Sequence, residues 1–428
     1  MFITSNFKTN IAPSLRFENQ KSSDGNFYPQ RGILVAENKK SVSFTSLQST
    51  LDYIAKARFI NPQITLQKLD PNKIADICEG LPVFKGWTAK TLQLITSCFD
   101  GILLQRGCIH KCSHCGADAE NKITTMSWDN FTALVDDIEI LTKRLGYNPF
   151  SLAPIDKRAY FFFDSDPMIY KSKGKDGIFH NIYDAAQYHY EKTGTKMMLT
   201  TAGWPEGNKT AKNAAKSFTK NPEVLGSFSI SVHPFHDYVQ RSIETTKNGN
   251  SEKATYWRNK YVSMMANTIK STIELKDKIQ IYAVALEYDD VYIDSATGLG
   301  NAEKLLNEIC TKLAHDKIDT SFLTRGIYSR ARTPENFIKF PIGHIGRGVK
   351  YAEYRVRCKP TIIEALSSNN TKIFVKSIAP DGKILIRPHY EQEEVGGDFY
   401  ELPFSLNFPL STKDNSKRPP LPKLEIID

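Results

Sequence analysis

Three of the seven cysteines fall within eight residues, Cys108-Ile-His-Lys-Cys112-Ser-His-Cys115. Thiols this close on one loop can turn their sulfurs toward a common point, and soft thiolates select iron–sulfur clusters or zinc. Around a 4Fe–4S cubane, three thiolates leave one iron without a protein ligand. That iron is then free to chelate the amino and carboxylate groups of a small molecule, much as a catalytic zinc keeps one position open. Around zinc, His110 or His114 would complete a tetrahedral set. The other cysteines, Cys78, Cys98, Cys310 and Cys358, are scattered. An odd number over a long chain does not read as a disulfide framework.

Further chemistry-bearing residues end the β-rich runs that follow. Phe161-Phe-Phe-Asp164-Ser165-Asp166-Pro167 offers acceptors suited to an ammonium. Thr200 and Thr201 close the next run. Ser229-Ile-Ser231-Val-His233-Pro-Phe-His236-Asp237 closes another and is followed by Arg241, whose fork suits a carboxylate. His236 and Asp237 read equally well as the opening of a helix. Glu287, Tyr328 and Arg330 lie at or near later strand ends.

Positioning these residues requires alternating strands and helices. Strands are expected at Gly101–Leu104, Ala159–Phe163, Lys196–Thr201, Gly226–Val232, Ile279–Glu287 and within Thr320–Tyr328. Helices are expected at Trp128–Leu145, His180–Lys192, Thr210–Lys220, Tyr256–Glu274 and Ala302–His315. In the first, Trp128, Phe131, Leu134, Val135, Ile138, Leu141 and Leu145 share a face, with Gly146 as the stop. Such alternation predicts an α/β protein with a parallel sheet. Six units predict a partial (β/α)6 TIM-like barrel, with an open doubly wound sheet as the rival. The barrel spans 99–335, between an N-terminal extension (1–98) and a C-terminal extension (336–428). The first holds an amphipathic helix near Ser46–Ala57. The second holds strands at Tyr351–Cys358 and Thr371–Ser377. Lys383–Arg387 pairs with the latter about a Pro380–Gly382 turn, and a Pro- and Lys-rich tail runs from Ser411 to Asp428.

The bulk composition is that of a globular protein, 40% hydrophobic and 24% charged over 428 residues. No apolar run reaches membrane-spanning length, and the N-terminus shows no basic start leading into an apolar stretch, so a cytoplasmic protein is expected. The net charge of +9 is spread along the chain and reads as a solvated surface more than a nucleic-acid footprint.

Cys-x3-Cys-x2-Cys after the first strand of a six-unit barrel resembles the radical S-adenosylmethionine (SAM) superfamily, as does the following Gly116-Ala117. His114 departs from the usual aromatic residue before the third cysteine. The resemblance implies a 4Fe–4S cluster on Cys108, Cys112 and Cys115, reduced by flavodoxin or ferredoxin. It also implies reductive SAM cleavage to a 5′-deoxyadenosyl radical that removes a substrate hydrogen. Asp164, Ser165 and Asp166 stand where the family contacts the methionyl amino group, and Thr200 is another position near SAM. Ser231 would meet the ribose and Arg241 the SAM carboxylate. The Ser-Ile-Ser…His-Asp…Arg run is similar to peptide-modifying members, which implies a peptide substrate and an outcome such as epimerisation or crosslinking. In that setting Cys358 would return a hydrogen atom, the alternative being a buried structural thiol. A small molecule or RNA as substrate, and a structural zinc protein, are the competing expectations.

Overall fold

The structure, a computed structural model, describes residues 77–96, 99–112, 115, 119–151, 158–161, 165–275, 281–286, 302–320, 324–328, 373–389, 400–413 and 415. Ser46–Ala57, Tyr351–Cys358 and the end of the tail lie outside them. In chain order the elements begin with α1 (Ala89–Thr96), β1 (Phe99–Ile102), the short pair β2 (Gln105–Arg106) and β3 (Thr124–Thr125), and α2 (Trp128–Leu145). Then come β4 (Arg158–Tyr160), the hairpin β5 (Lys171–Lys173) and β6 (Phe179–Asn181), α3 (Ile182–Thr193), β7 (Lys196–Thr201) and α4 (Lys209–Lys220). They continue with β8 (Leu225–Val232), α5 (Asp237–Lys247), α6 (Ser251–Thr272), β9 (Ile281–Leu286), α7 (Ala302–His315) and β10 (Thr324–Tyr328). Last are β11 (Ile373–Ile378), β12 (Lys383–His389) and β13 (Tyr400–Ser405).

The central sheet runs β10-β9-β8-β7-β4, and every pairing in it is parallel. Strands alternating with helices build this layout, and the protein is α/β. Burial along the strands alternates. Met197 and Leu199 on β7, and Phe228, Ile230 and Val232 on β8, are buried, while Met198, Thr200, Ser229 and Ser231 are only half-buried. One sheet face therefore carries the helices and the other is more open. The helix α2 forms where the pattern demands: Ser127 caps it by accepting from Asn130 N–H, and Gly146 ends it at φ 80°. Its Phe131, Leu134, Val135, Ile138 and Leu141 join the core. The helices α6 and α7 are clamped by a bidentate pair, Arg258 Nε and Nη2 to Glu308 at 2.7 and 2.9 Å.

The first strand lies two residues earlier than expected, and its hydrogen-bonded partner is β11, in parallel. The β11–β12 hairpin forms as expected, with Gly382 at φ +85° in the turn, and β13 extends it. The chain just past β1 also touches the central sheet: Leu104 N–H donates to Phe161 O (3.2 Å), and a Cβ on Gly101 would sit 2.5 Å from Tyr160 O. Described residues before 99, between 99 and 328, and after 373 share one core, running from Ile77 to Leu406. Among the described residues no helix is long and apolar enough to cross a membrane.

Candidate functional site

The cysteine loop leaves β2 through Gly107, held at φ +96°, where Cys108 N–H donates to Glu120 O (2.6 Å). Lys111 also takes a left-handed conformation, φ 52°, and curls the chain between Cys108 and Cys112. Cys115 N–H then donates to Cys112 O (3.3 Å), and Ala119 N–H to Cys115 Sγ (3.3 Å). The three thiols are half-buried and unlinked. Burial above all, and then the Asp166 carboxylate, pushes the Cys108 thiol up to about 12. Cys115 is close enough to add to that shift. Cys112 Sγ lies 3.7 Å from His233 Nε2.

The wall opposite the loop is built from successive strand ends. Beyond β4, Asp166 caps a short 3-10 turn (Pro167–Ile169), its Oδ1 accepting from Met168 N–H at 3.0 Å. Its Oδ2 accepts from Thr201 Oγ1 (2.8 Å) and Ala202 N–H (2.9 Å) at the end of β7, and faces His110 Nε2 at 3.0 Å. His110 Nδ1 faces His236 Nε2 at 3.2 Å. His236 follows β8 and caps α5, its Nδ1 accepting from Tyr238 N–H. Tyr261 of α6 lies against His236, ring centroids 5.0 Å apart, and its hydroxyl oxygen accepts from His233 N–H (3.0 Å). Complete burial pushes the Tyr261 phenol far up, so it keeps its proton.

The expected site residues divide accordingly. Cys108, Cys112, Cys115, Asp166 and Thr201 gather at one end of the sheet. Thr200 and Ser231 share the half-open sheet face, since Thr200 pairs with Ser229 in register. Ser165 Oγ is buried and has no hydrogen-bond partner in the structure. Arg241 is engaged elsewhere: its Nε pairs with Asp237 Oδ2 at 2.9 Å and its guanidinium covers the Trp257 ring at 4.8 Å. Asp164, Glu287, Arg330 and Cys358 lie outside the described residues, as do the side chain of Tyr328 and residues 113, 114 and 116–118. Cys310 is buried in α7, in the core.

Sequence reasoning missed two participants. His110 read as a zinc ligand, and nothing local announces partners 56 and 126 residues away. Tyr261 carried a signal, a hydroxyl on the buried stripe of α6 with Met264, Met265 and Thr268.

The donor chemistry of the loop fits an iron–sulfur cluster or zinc. Among the described residues no three His, Cys, Asp or Glu side chains are grouped around a single-ion position. The buried Ser165 hydroxyl, without a hydrogen-bond partner among the described residues, fits a polar ligand. Fold and site together define an α/β protein that collects thiols, imidazoles and a carboxylate at the carboxyl ends of a parallel sheet. No protein-family model matches the chain, and no curated protein matches it.

Proposed function

We propose that this protein is a radical SAM enzyme acting on a peptide, with a 4Fe–4S cluster held by Cys108, Cys112 and Cys115. The supporting observation is the place of the three-cysteine loop: it leaves a strand and packs against the carboxyl ends of β4, β7 and β8. Parallel α/β folds put their chemistry at that end. A cubane distributes its thiolates over separate irons, and three cysteines within eight residues of one loop suit it. The finer fold reading, a partial (β/α)6 barrel, rests on β1 running beside β4 as a sixth strand.

When bound, cluster and SAM supply one-electron cleavage of the sulfonium and a carbon radical that takes a hydrogen atom, the electron coming from flavodoxin or ferredoxin. The chain's own residues bind and shield. Ser165 presents an uncommitted hydroxyl, and Thr200 and Ser231 line the open sheet face where ribose and methionine would lie. Tyr261 and Phe235 are buried beside His233, behind the loop. Arg241 would reach a SAM carboxylate only by leaving Asp237 and Trp257.

A second reading, a structural zinc site of three cysteines and one histidine, is favoured by the proximity of His233 Nε2 to Cys112 Sγ, 3.7 Å. One experiment separates the two. Anaerobically purified protein is expected to contain iron and sulfide, absorb near 400 nm, and release 5′-deoxyadenosine from SAM on adding dithionite. Substitution Cys112→Ala abolishes all three. Zinc without iron, or reduced cluster without 5′-deoxyadenosine, overturns the proposal.

A further inference from the structure

The chain of buried groups behind the cysteine loop has a defined direction. Tyr238 N–H can only donate, so His236 Nδ1 carries no proton and a neutral His236 is protonated on Nε2. His236 Nε2–H then donates to His110 Nδ1 (3.2 Å). With Nδ1 accepting, His110 holds its proton on Nε2 and donates to Asp166 Oδ2 (3.0 Å). Asp166 closes the series by accepting also from Thr201 Oγ1, Ala202 N–H and Met168 N–H. Every donor in the series meets an acceptor within the protein. His110, Asp166, Thr201 and His236 are each more than nine-tenths buried. They come from four separate places: the cysteine loop, the turn after β4, the end of β7, and the segment after β8.

We infer that His110 is a positioning residue. The His236–His110–Asp166 chain, steadied by Thr201, fixes the cysteine loop to three consecutive strand ends before any metal or cofactor arrives. Asp166 thereby serves the loop from within, not a ligand's ammonium from outside; its oxygens already take four donors. An isolated loop of eight residues pays an ordering cost when it closes on a ligand, and a preset loop does not. The inference holds for a cluster or for zinc, since it concerns the protein's own groups.

The test uses reduced, metal-free, full-length protein, so it stands whether or not the proposed chemistry is right. Each cysteine's alkylation rate is followed by mass spectrometry at one pH under native conditions. Cys108 should react slowly, and in His110→Ala its rate should rise at least about tenfold through local opening; Asp166→Ala should raise it further, because it also removes the carboxylate that pushes the Cys108 thiol up. The conservative His110→Gln, whose amide can still donate to Asp166, should recover part of the protection. If the alanine variants do not fold, Thr201→Val, which removes one donor to Asp166, should still raise the Cys108 rate by about threefold or more. Arg258→Ala serves as control: it breaks the clamp to Glu308 between α6 and α7 and lowers overall stability. A Cys108 rate unchanged in folded His110→Ala, or in Thr201→Val where only that variant folds, overturns the inference. So does an Arg258→Ala rate that matches His110→Ala.

Discussion

His189 on α3 faces a carbonyl with one ring nitrogen and hydrocarbon with the other. Its Nδ1 meets Thr195 O at 3.3 Å, its Nε2 has no hydrogen-bond partner in the structure, and Phe161 packs edge-on at 4.9 Å. Complete burial disfavours the imidazolium and lowers the group to about 4, partly opposed by the Thr195 carbonyl. An unfolded histidine titrates near 6.5, so between those values the unfolded chain binds the extra proton and stability rises with pH. The contribution is full above about 6.5 and is lost as pH falls toward 4, amounting to ~3 kcal/mol. Urea unfolding of the wild type and of His189→Gln at pH 7 and pH 4.5 should show a smaller acid loss in the variant, by ~2 kcal/mol. Equal acid losses would remove His189 as the cause. At this scale the sequence was a mixed guide. Cysteine spacing marks the loop because all three thiols fall within eight residues of chain. The resemblance points Arg241 to a SAM carboxylate; in the structure it pairs with an acid one helical turn earlier and covers an indole.

Elements were legible wherever one periodic face met one core. The helices at Trp128–Leu145 and Ala302–His315 fall where apolar spacing puts them, and β7 spans its expected six residues. The segment after His236 contains a separate helix, α5, because His236 caps it and Asn248 to Asn250 interrupt the apolar pattern before α6. The pairing of β1 with β11 was invisible. Strand partners more than 270 residues apart leave no periodic trace, and Phe99–Ile102 reads the same whichever edge it joins. The loop's entrance is the most exacting element junction. Gly107 sits at φ +96°, and a Cβ there would lie 2.1 Å from Lys122 O and 3.0 Å from Glu120 O. Both obstacles are backbone, and the Cys108 N–H to Glu120 O bond would have to open. Gly107→Ala should therefore lower stability by ~3 kcal/mol or more and expose Cys108 to alkylation. Gly146→Ala is the comparison: the αL cap has open space around it and should lose only ~1 kcal/mol. A Gly107→Ala protein as stable as Gly146→Ala would contradict this account of the junction.

Across the whole molecule, the described C-terminal residues lie across the start of the chain's main body. Asn407 N–H donates to Val83 O (2.8 Å), Trp87 Nε1–H to Ser405 O (3.1 Å), and Val83 N–H reaches Asp137 Oδ2 of α2 (2.8 Å). The strap ends over the N-terminus of α2, where Asn130, fully buried, acts like a strand edge turned sideways. Its Oδ1 accepts from Leu410 N–H (2.9 Å), and its Nδ2 donates to Leu410 O (2.8 Å) and to Thr412 Oγ1 (3.3 Å). Asn415 N–H continues the contact to Thr124 Oγ1 in β3, just upstream of α2 and downstream of the cysteine loop. One amide thus joins the C-terminal segment to the helix that follows the candidate site. Alanine at 130 leaves both Leu410 backbone groups without that partner, a loss of ~2–4 kcal/mol. Aspartate keeps the acceptor toward Leu410 N–H but sets a carboxylate against Leu410 O, so it should fare no better than alanine. Both variants should show a lower urea midpoint and a new protease-sensitive site between residues 405 and 415, cut before the core unfolds. If the strap is merely laid on the surface, Asn130→Ala will match the wild type in midpoint and digestion pattern. In that case Leu410 and Thr412 are held by packing alone, and the helix after the cysteine loop owes nothing to the C-terminal segment.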